Sequence, residues 1–551
     1  MDGSSANTTE NRPQSTKVNE NVARHPSDRQ GVDEYEYQTD SIDASPSDND
    51  GREDPEALRK TKSNATSIAE SLPLYRELLF VAVICSGQLY TQAGLGQVMS
   101  IIDIIGETWD LPEVQMSWFL SGYSLTVGTF ILFSGRLGDM FGYKTLFLIG
   151  LGWYSLWSLV CGLSVYSSHV LFVFGRVLQG IGPALILPNG LALLGATYAP
   201  GKRKSMAFAA FAASAPSGFV LGATFSGLFA LAWWPWTFWC FSLVLAGTAV
   251  LAYFVIPPVP ASHRENRPRT GRGKLIHLDI PGAVTGVVGL VLFNFAWNQA
   301  PLVGWQQPYV YVCLILGLIF IGVYFVVDLK YSPDPLVPFD ALTSDVAFVL
   351  AALACGWACF GIWIWYTWQV MLQLRHASPL LASAYSVPTM ISGAVAAVVV
   401  GTLLHRVGPP LIMTGALVAF AVGAILLATC PVDQIYWGQM FVGFLVTPWG
   451  MDMSFPAATI ILSNAVAREH QGIAASLVNT VVNYSIALGL GVAGTIESQI
   501  NNGGKNPTDK LKGYRGGYYL GISLAVFGIG ICIAFLLKTR QTNRLETEEK
   551  A

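Results

Sequence analysis

Charge is what this sequence has least of. Only 12% of its 551 residues are Asp, Glu, Lys or Arg, whereas 52% are hydrophobic. A soluble domain of ordinary composition carries about twice that share of charged residues. The composition therefore excludes an ordinary soluble protein and indicates a membrane protein. A net charge of −3 is also too small to indicate a nucleic-acid partner, so no DNA or RNA binding is expected.

Groups of metal-binding or catalytic residues are also lacking. The eight cysteines lie in or beside apolar runs, which argues against a disulfide framework. Cys355 and Cys359 are spaced to share one helix face, but no histidine or carboxylate completes a metal site, so they are interpreted as packing residues. The seven histidines are scattered, and no Walker loop is present. No cofactor is predicted, and an integral-membrane enzyme or an ATP-driven pump is not favoured.

Long apolar runs dominate the sequence. A membrane-spanning helix needs about 20 apolar residues, and about fourteen such runs lie between Leu78 and Leu537. The predicted fold class is all-α, a polytopic membrane protein with about 14 transmembrane helices. The predicted spans are residues 78–102, 115–135, 145–165, 169–197, 205–231, 236–257, 280–298, 309–328, 345–373, 380–404, 411–430, 435–463, 471–497 and 517–537.

The chain is predicted to contain two related halves. Residues 1–73 are polar and contain few large apolar side chains, which predicts a disordered cytosolic tail. Self-alignment at an offset of about 267 residues predicts six helices in 74–257, two inserted helices in 280–340 and six helices in 341–537. A basic, proline-broken loop at 258–279 and a tail at 538–551 complete the organisation, both predicted to be cytosolic.

Loop charges predict the orientation. Placing the N-terminus in the cytosol assigns most loop Lys and Arg residues to the cytosolic side, where positively charged loops of membrane proteins generally lie. The final predicted outer loop is an exception, so an odd helix count remains the alternative. Its basic residues are Lys505, Lys510, Lys512 and Arg515.

A charged, glycine-containing segment between the second and third spans is predicted to form a tight cytosolic turn in which two helices lock and unlock. Its three glycines, Gly135, Gly138 and Gly142, are expected to permit the reversal. A degraded copy follows about 266 residues later. The candidate gating residues are Gly135, Asp139, Gly142 and Lys144 in the first copy, and Gly401, His405, Arg406 and Gly408 in the second.

Two charged residues inside apolar runs are the strongest candidates for function. A membrane-buried arginine costs several kcal/mol unless it faces a cavity or a partner, so Arg176, with Gln179 one turn later, is predicted to face the interior. The alternative is a structural arginine near the membrane edge, bonded to helix-end carbonyls. Asp452 is predicted to bind substrate or a proton, the alternative being a polar residue that satisfies backbone groups near Pro456.

Each of the weaker candidates for a functional role also has a purely structural interpretation. Asp103 and Glu107 either attract cations to an outer entrance or form a solvated edge. Asn479 and Asn483 either bind substrate or join helices. Aromatic residues of the ninth span, with Gln369 and Gln373, either line a cavity or pack in an interface belt. The predicted cavity aromatics are Trp363, Trp365 and Trp368. In the fifth span, Pro216, Gly218 and Gly222 are predicted to kink the helix and to let it approach a neighbouring helix closely.

At these motifs the sequence resembles the major facilitator superfamily. The first hairpin is similar to its Gly-x-Leu-x-Asp-x-x-Gly-x-Lys signature, and the segment 176–182 resembles the Arg-x-x-Gln-Gly-x-Gly signature of its fourth helix. The fourteen spans resemble its drug:proton antiporter branch. Segments 449–456 and 471–480 resemble a fungal group of aminotriazole- and boron-resistance proteins, also described as low-affinity ammonium transporters. The resemblance implies a monomer and a role for Arg176 in proton coupling.

The resemblance implies a secondary active transporter of the fungal plasma membrane that exports a small toxic solute in exchange for protons. Its partners would be the bilayer, protons and a small-molecule substrate. The segment around Pro216 stands where the antiporter signature Gly-x-x-x-Gly-Pro-x-x-Gly-Gly is expected, but Ala215 replaces the glycine before proline. A low-affinity facilitator of ammonium, borate or another small polar solute is therefore the first alternative, and a non-transporting nutrient sensor is the second.

Overall fold

The computed structural model describes residues 72–111, 113–198, 202–257, 279–332, 343–407, 409–465 and 471–550. Within these ranges every regular element is a helix. The predicted disordered tail, apart from its last two residues, and nearly all of the predicted basic loop at 258–279 lie outside the described residues.

Fourteen long helices coincide with the fourteen predicted apolar runs, within the described part of the chain. Beside them lie the short helices Ile102–Glu107 and Glu113–Met116 and a 3-10 turn at Ser164–Tyr166. The long helices are α1 (Leu74–Met99), α2 (Trp118–Phe141), α3 (Tyr143–Leu163), α4 (His169–Gln179 and Ile181–Thr197), α5 (Lys202–Ala230), α6 (Pro235–Val255), α7 (Ile280–Val303), α8 (Pro308–Lys330), α9 (Ser344–Gln369), α10 (Pro379–Val407), α11 (Pro409–Thr429), α12 (Gln439–Ala465), α13 (Gln471–Ile500) and α14 (Pro507–Lys550).

Twelve of the described helices are long and apolar enough to cross a membrane. The other two long helices, α2 and α12, have 24 and 27 residues and carry the buried charged residues Arg136 and Asp452. Both helices are nevertheless long enough to span a bilayer. The chain is therefore a multi-pass membrane protein.

The turn between α2 and α3 differs from its prediction. Gly142, with φ +97°, is the single residue between the two helices, and Gly135 and Gly138 are helical because α2 continues to Phe141. The prediction that three glycines form the turn is therefore wrong. Gly138 instead allows close packing, since a Cβ there would overlap the side-chain oxygen of Asn189 on α4.

Charged side chains fix the same turn from both sides. The Tyr143 hydroxyl donates a hydrogen bond to Asp139, and the Lys144 ammonium donates to the carbonyl oxygens of Tyr253 and Ile256 at 2.8 and 2.6 Å. A lysine commonly satisfies the unpaired carbonyls at a helix C-terminus in this way, here that of α6. We call this side of the helix bundle the hairpin end and the opposite side the distal end.

The second copy of the motif has a similar backbone. Gly401 and Arg406 lie within α10, which ends at Val407, and α11 begins at Pro409. Gly408, which separates the two helices, and the side chain of His405 lie outside the described residues. Arg406 is exposed.

Substitution Gly142→Ala should destabilise the protein. A φ of +97° is accessible to glycine but strained for a residue with a Cβ, so we expect the free energy of unfolding to fall by about 1–3 kcal/mol. Thermal unfolding of the detergent-purified protein would measure the change. Gly401→Ala is the matched control, because Gly401 is helical and no heavy atom lies within 4 Å of an added Cβ. Equal melting temperatures for the two variants would contradict the strain argument.

Helices α1–α6, here called the first half, meet helices α9–α14, the second half, along two seams. One seam pairs α5 with α10, and the other pairs α2 with α13. The inserted helices α7 and α8 pack on each other, and α7 also lies against α2 and α13. Asn298 of α7 donates a hydrogen bond to the Ala487 carbonyl on α13, and Trp118 on α2 donates one to Gln299 of α7.

The apolar core is shared between the halves at the distal end and divided at the hairpin end. The distal cluster contains buried side chains of both halves. Toward the hairpin end, one cluster is built from the first half and another from the second half, with Phe455 of α12 packing on both. The distal cluster includes Met99, Phe119, Phe172, Trp363, Trp368 and Tyr518.

Candidate functional site

Arg176 is fully buried in the first half and ties four helices together. Its Nε donates to the Phe119 carbonyl on α2 at 2.9 Å, and one terminal nitrogen donates to the Gly94 carbonyl on α1 at 2.8 Å. The other terminal nitrogen donates to the Gln179 side chain, whose own amide donates to Ser158 on α3 at 2.6 Å. A buried cation is tolerated when acceptors replace its hydration in this way.

Two tyrosines complete the surroundings of Arg176. The Arg176 guanidinium lies 4.4 Å from the ring centre of Tyr123, a cation–π contact that adds to its stabilisation. The Tyr123 hydroxyl is 3.0 Å from that of Tyr154 and donates to the Thr91 carbonyl at 2.8 Å. Gly94 makes this possible, since a Cβ there would overlap the Tyr154 hydroxyl. These contacts place the Arg176 side chain in the interior of the first half, as predicted, whereas its role in proton coupling stays a prediction.

Asp452 lies in a different part of the molecule, where α5, α10 and α12 meet. Its side chain is 4% exposed, and Oδ2 has no hydrogen-bond partner. A Cβ added at Gly393 of α10 would stand 2.9 Å from this oxygen and 2.6 Å from Cγ of Pro216 on α5. Glycine at position 393 therefore leaves room for a carboxylate at the seam between the halves.

Other buried polar atoms of the described helices also lack partners. Among them are Nε2 of Gln97, Oγ1 of Thr389 and Oγ1 of Thr480. Thr389 lies one turn before Gly393 on α10. Each such atom costs about 1–3 kcal/mol when left unsatisfied, so each would gain from a hydrogen bond to water or a ligand.

The predicted helix-approach residues bring α5 close to α1. The helix runs without interruption through Pro216. A Cβ at Gly218 would overlap the Leu89 carbonyl, and one at Gly222 would overlap the Ala93 carbonyl. Gly218 and Gly222 therefore let α5 pack tightly against α1. Pro216 lies on the same helix, where α5 meets α10.

Asn479 and Asn483 lie on α13, the helix that forms the other seam. Asn479 is buried, and the Asn483 amide donates to the Asn479 carbonyl at 2.9 Å, a bond within one helix. The adjoining backbone of Tyr484 approaches Gly128 on α2, where an added Cβ would stand 3.0 Å from the Tyr484 nitrogen. The two asparagines thus lie beside the contact between the halves.

The predicted cavity aromatics are packed into the distal cluster. Trp363 and Trp368 are 1% and 0% exposed, and Trp365 is partly buried. The Trp363 ring meets Phe444, and the Trp368 ring meets Phe219 of the first half at 5.7 Å between centroids. The rings of Trp363 and Trp368 are thus buried inside the protein and not in an interface belt, and their indole nitrogens have no hydrogen-bond partner, so the cavity role stays a prediction.

Asp103 connects the halves at the distal end. Its Oδ1 accepts a hydrogen bond from the amide of Gln373 at 2.8 Å. The other member of the predicted acidic pair, Glu107, is exposed. Asp103 thus has a partner within the protein, and the two alternatives for the acidic pair stay open.

Comparison with known proteins identifies the family. A family model described as Major Facilitator Superfamily matches residues 79–332 and 346–551. The chain belongs to this superfamily. The predicted all-α fold and the transporter function are confirmed.

Relatives of this transporter differ in their described roles. It is 54% identical over 477 residues to a low affinity ammonium transporter of Saccharomyces cerevisiae, covering 86% of this chain and 91% of the relative. It is 47% identical over 464 residues to efflux pump terJ of Aspergillus terreus, covering 84% and 88%. The fold is also similar to the crystal structure of an auto-inhibited POT family peptide transporter, at 16% identity and TM-score 0.55, covering 84% and 96%. The predicted resemblance to a fungal group of the superfamily is confirmed.

Sequence reasoning missed several residues of the candidate site. Tyr123, Tyr154, Thr389 and Gly393 were not candidates, because uncharged residues in apolar runs carry no signal of their own. Unpaired charge drew attention to Arg176 and Asp452, but their neighbours come from other helices. In the described ranges no group of three or more His, Cys, Asp or Glu side chains forms a metal site.

Proposed function

We propose that this transporter exports a small solute in exchange for protons, with Asp452 as the carboxylate that holds the proton and the substrate in turn. The single observation that carries the proposal is the buried, unpartnered Oδ2 of Asp452 at the seam of α5, α10 and α12. Ionisable residues within spanning helices commonly lie on ion or proton pathways. A carboxylate at this seam would experience the relative movement of the two halves directly.

The charge arrangement favours a neutral or cationic solute. The Arg176 side chain donates from all three of its nitrogens to groups of the first half. It therefore offers an anion little beyond what those acceptors already use. Asp452 and the nearby threonine Thr389 instead supply oxygen atoms, which accept hydrogen bonds from ammonium or hydroxyl donors.

We propose a role for Arg176 as a positioning residue for proton movement rather than as a proton carrier. It holds α1, α2, α3 and α4 in register, and it orients Tyr123. Asn479 and Asn483, beside the second seam, are proposed to contact the solute. We also propose that the predicted gating residues of the two hairpins stabilise the conformation in which the hairpin end is closed.

The proposed setting is the plasma membrane, with the hairpin end and both termini in the cytosol. This orientation places Lys144 and Arg406 on the cytosolic side, in agreement with the usual bias of positive charge. We propose a monomer that transports without enzymatic catalysis. In this orientation the shared distal cluster closes the outer side, and the halves are divided toward the cytosol.

A second candidate is a low-affinity facilitator of ammonium or a similar small solute. The 54% identical relative described as an ammonium transporter supports it, as does Ala215 at the position where the antiporter signature has glycine. An unpaired buried carboxylate can bind an ammonium ion without any proton exchange.

Flux measurements in cells without their own ammonium, borate and drug transporters would separate the two candidates. We expect cells expressing this chain to lose preloaded [14C]methylammonium, borate or aminotriazole faster than control cells, and a protonophore to abolish net export against a gradient. Flux of the same probes that follows the gradient in both directions, and that the protonophore does not change, would establish the facilitator and reject proton exchange.

A further inference from the structure

We propose that a polar latch centred on Gln373 holds the two halves together at the distal end and sets how often that end opens. The inference rests on the proposed function only in assuming that the halves separate at the distal end during transport. The latch consists of Asp103 from the first half and of Gln373 and Lys510 from the second half.

Gln373 bridges two opposite charges. Its amide nitrogen donates to Oδ1 of Asp103 at 2.8 Å, and its amide oxygen accepts from the Lys510 ammonium at 3.4 Å. An amide suits this position because it carries a donor and an acceptor at once. The latch therefore links a carboxylate to an ammonium across the boundary between the halves.

The second half holds Gln373 rigidly. Residues Val370–Leu374 form a π-helical turn at the end of α9, a local geometry that is frequent at functional sites. On one side of this turn Thr367 shares a hydrogen bond of 3.0 Å with the Tyr518 hydroxyl on α14. On the other side Arg375 donates to the Pro431 carbonyl at 3.0 Å. The π turn is thus fixed to α14 and to the loop that follows α11, so Gln373 must move with the second half.

The first half holds Asp103 in a similar way. Asp103 lies in the short helix Ile102–Glu107, whose Ile102 and Ile105 side chains are buried in the distal cluster. Just before it, the Ser100 hydroxyl lies 2.6 Å from that of Ser226 on α5. Both ends of the latch therefore belong to rigid parts of their own halves, and separating the halves must break the bond between Gln373 and Asp103.

An aromatic layer lies beneath the latch. Trp368, five residues before Gln373 on α9, meets Phe219 of α5 across the same boundary. Water entering from the distal side would reach the latch first and this ring pair next. A hydrogen bond to a charged partner shifts a conformational equilibrium about tenfold or more without locking it.

Substitution Gln373→Met tests the latch, because methionine has a similar length and neither donor nor acceptor. Spin labels on unnatural amino acids at Ser167 and Ile435, exposed distal positions of the two halves, would report their separation by double electron–electron resonance in nanodiscs. We expect the wild type to give one short distance, and Gln373→Met to raise the ratio of a longer, open population about tenfold.

Gln439→Met is the matched control. Gln439 also lies at the distal end, but its amide donates to Thr429 within the second half at 2.8 Å. We expect this variant to keep the wild-type distances. Asp103→Ala removes the other partner and should reproduce the open population if Gln373→Met does not fold. Distance distributions unchanged in both latch variants would overturn the proposal, and because no substrate is present, the outcome is independent of the flux measurements.

Discussion

Asp452→Asn is expected to reduce protonophore-sensitive export about 10- to 100-fold, the factor that corresponds to losing a hydrogen bond with a charged group. Asparagine preserves the size of the side chain but neither ionises nor carries a proton. Its amide would still fit beside Gly393, where the aspartate oxygen lies in the present packing. The measurement is the rate of net export from preloaded cells with and without an imposed proton gradient.

The matched control for this variant is Asp345→Asn. Asp345 is exposed and pairs with Lys538 at 2.8 Å, and a surface ion pair contributes little to stability. We expect its transport rate to remain near wild type. If Asp452→Asn exports solute at the wild-type rate and still responds to the protonophore, Asp452 is not the coupling carboxylate.

Arg176→Lys is expected to destabilise the protein by about 3–5 kcal/mol, the cost of leaving a buried charge without its partners. A lysine ammonium cannot replace the planar guanidinium that reaches the carbonyls of Phe119 and Gly94 and the side chain of Gln179 at once. Thermal unfolding in detergent, together with the amount of protein in the membrane, would measure the loss.

Arg406→Lys serves as the control for Arg176→Lys because Arg406 is exposed at the end of α10, where such a change has little effect on stability. A second readout separates a structural role from a direct role in coupling. A variant Arg176→Lys that melts like the wild type but loses its response to the protonophore would show that Arg176 takes part in proton coupling and is not chiefly a packing residue.

Much of the fold could be predicted because each membrane helix corresponds to an apolar run that is visible in the local sequence. Each apolar run of about 20 residues became one long helix, since the bilayer requires helices to satisfy their own backbone. The position of the turn at Gly142 was predicted correctly, but the residues that form the turn were not. Two glycines assigned to the turn are helical, because glycine serves close helix packing as well as reversal, and sequence does not distinguish the two uses.

Only the charged residues of the candidate site could be predicted, because a charge within an apolar run is easily seen in the sequence. Arg176 and Asp452 stand out in apolar runs, yet nothing local shows that Arg176 is enclosed by carbonyls of the first half or that Asp452 faces Gly393. The interpretation of Trp363 and Trp368 as cavity residues illustrates the same limit. Aromatic residues in a spanning helix pack, line a cavity or face lipid according to which helices adjoin them.

The sequence by itself determined that this protein is a multi-pass helical transporter of the Major Facilitator Superfamily, where its helices lie, and that Arg176 and Asp452 are buried. Only the tertiary structure decided the partners of those charges. Arg176 meets carbonyls 57 and 82 residues away, and Gln373 meets Asp103 across 270 residues. Hydropathy is a property of consecutive residues, whereas these contacts depend on how helices distant in the chain pack together.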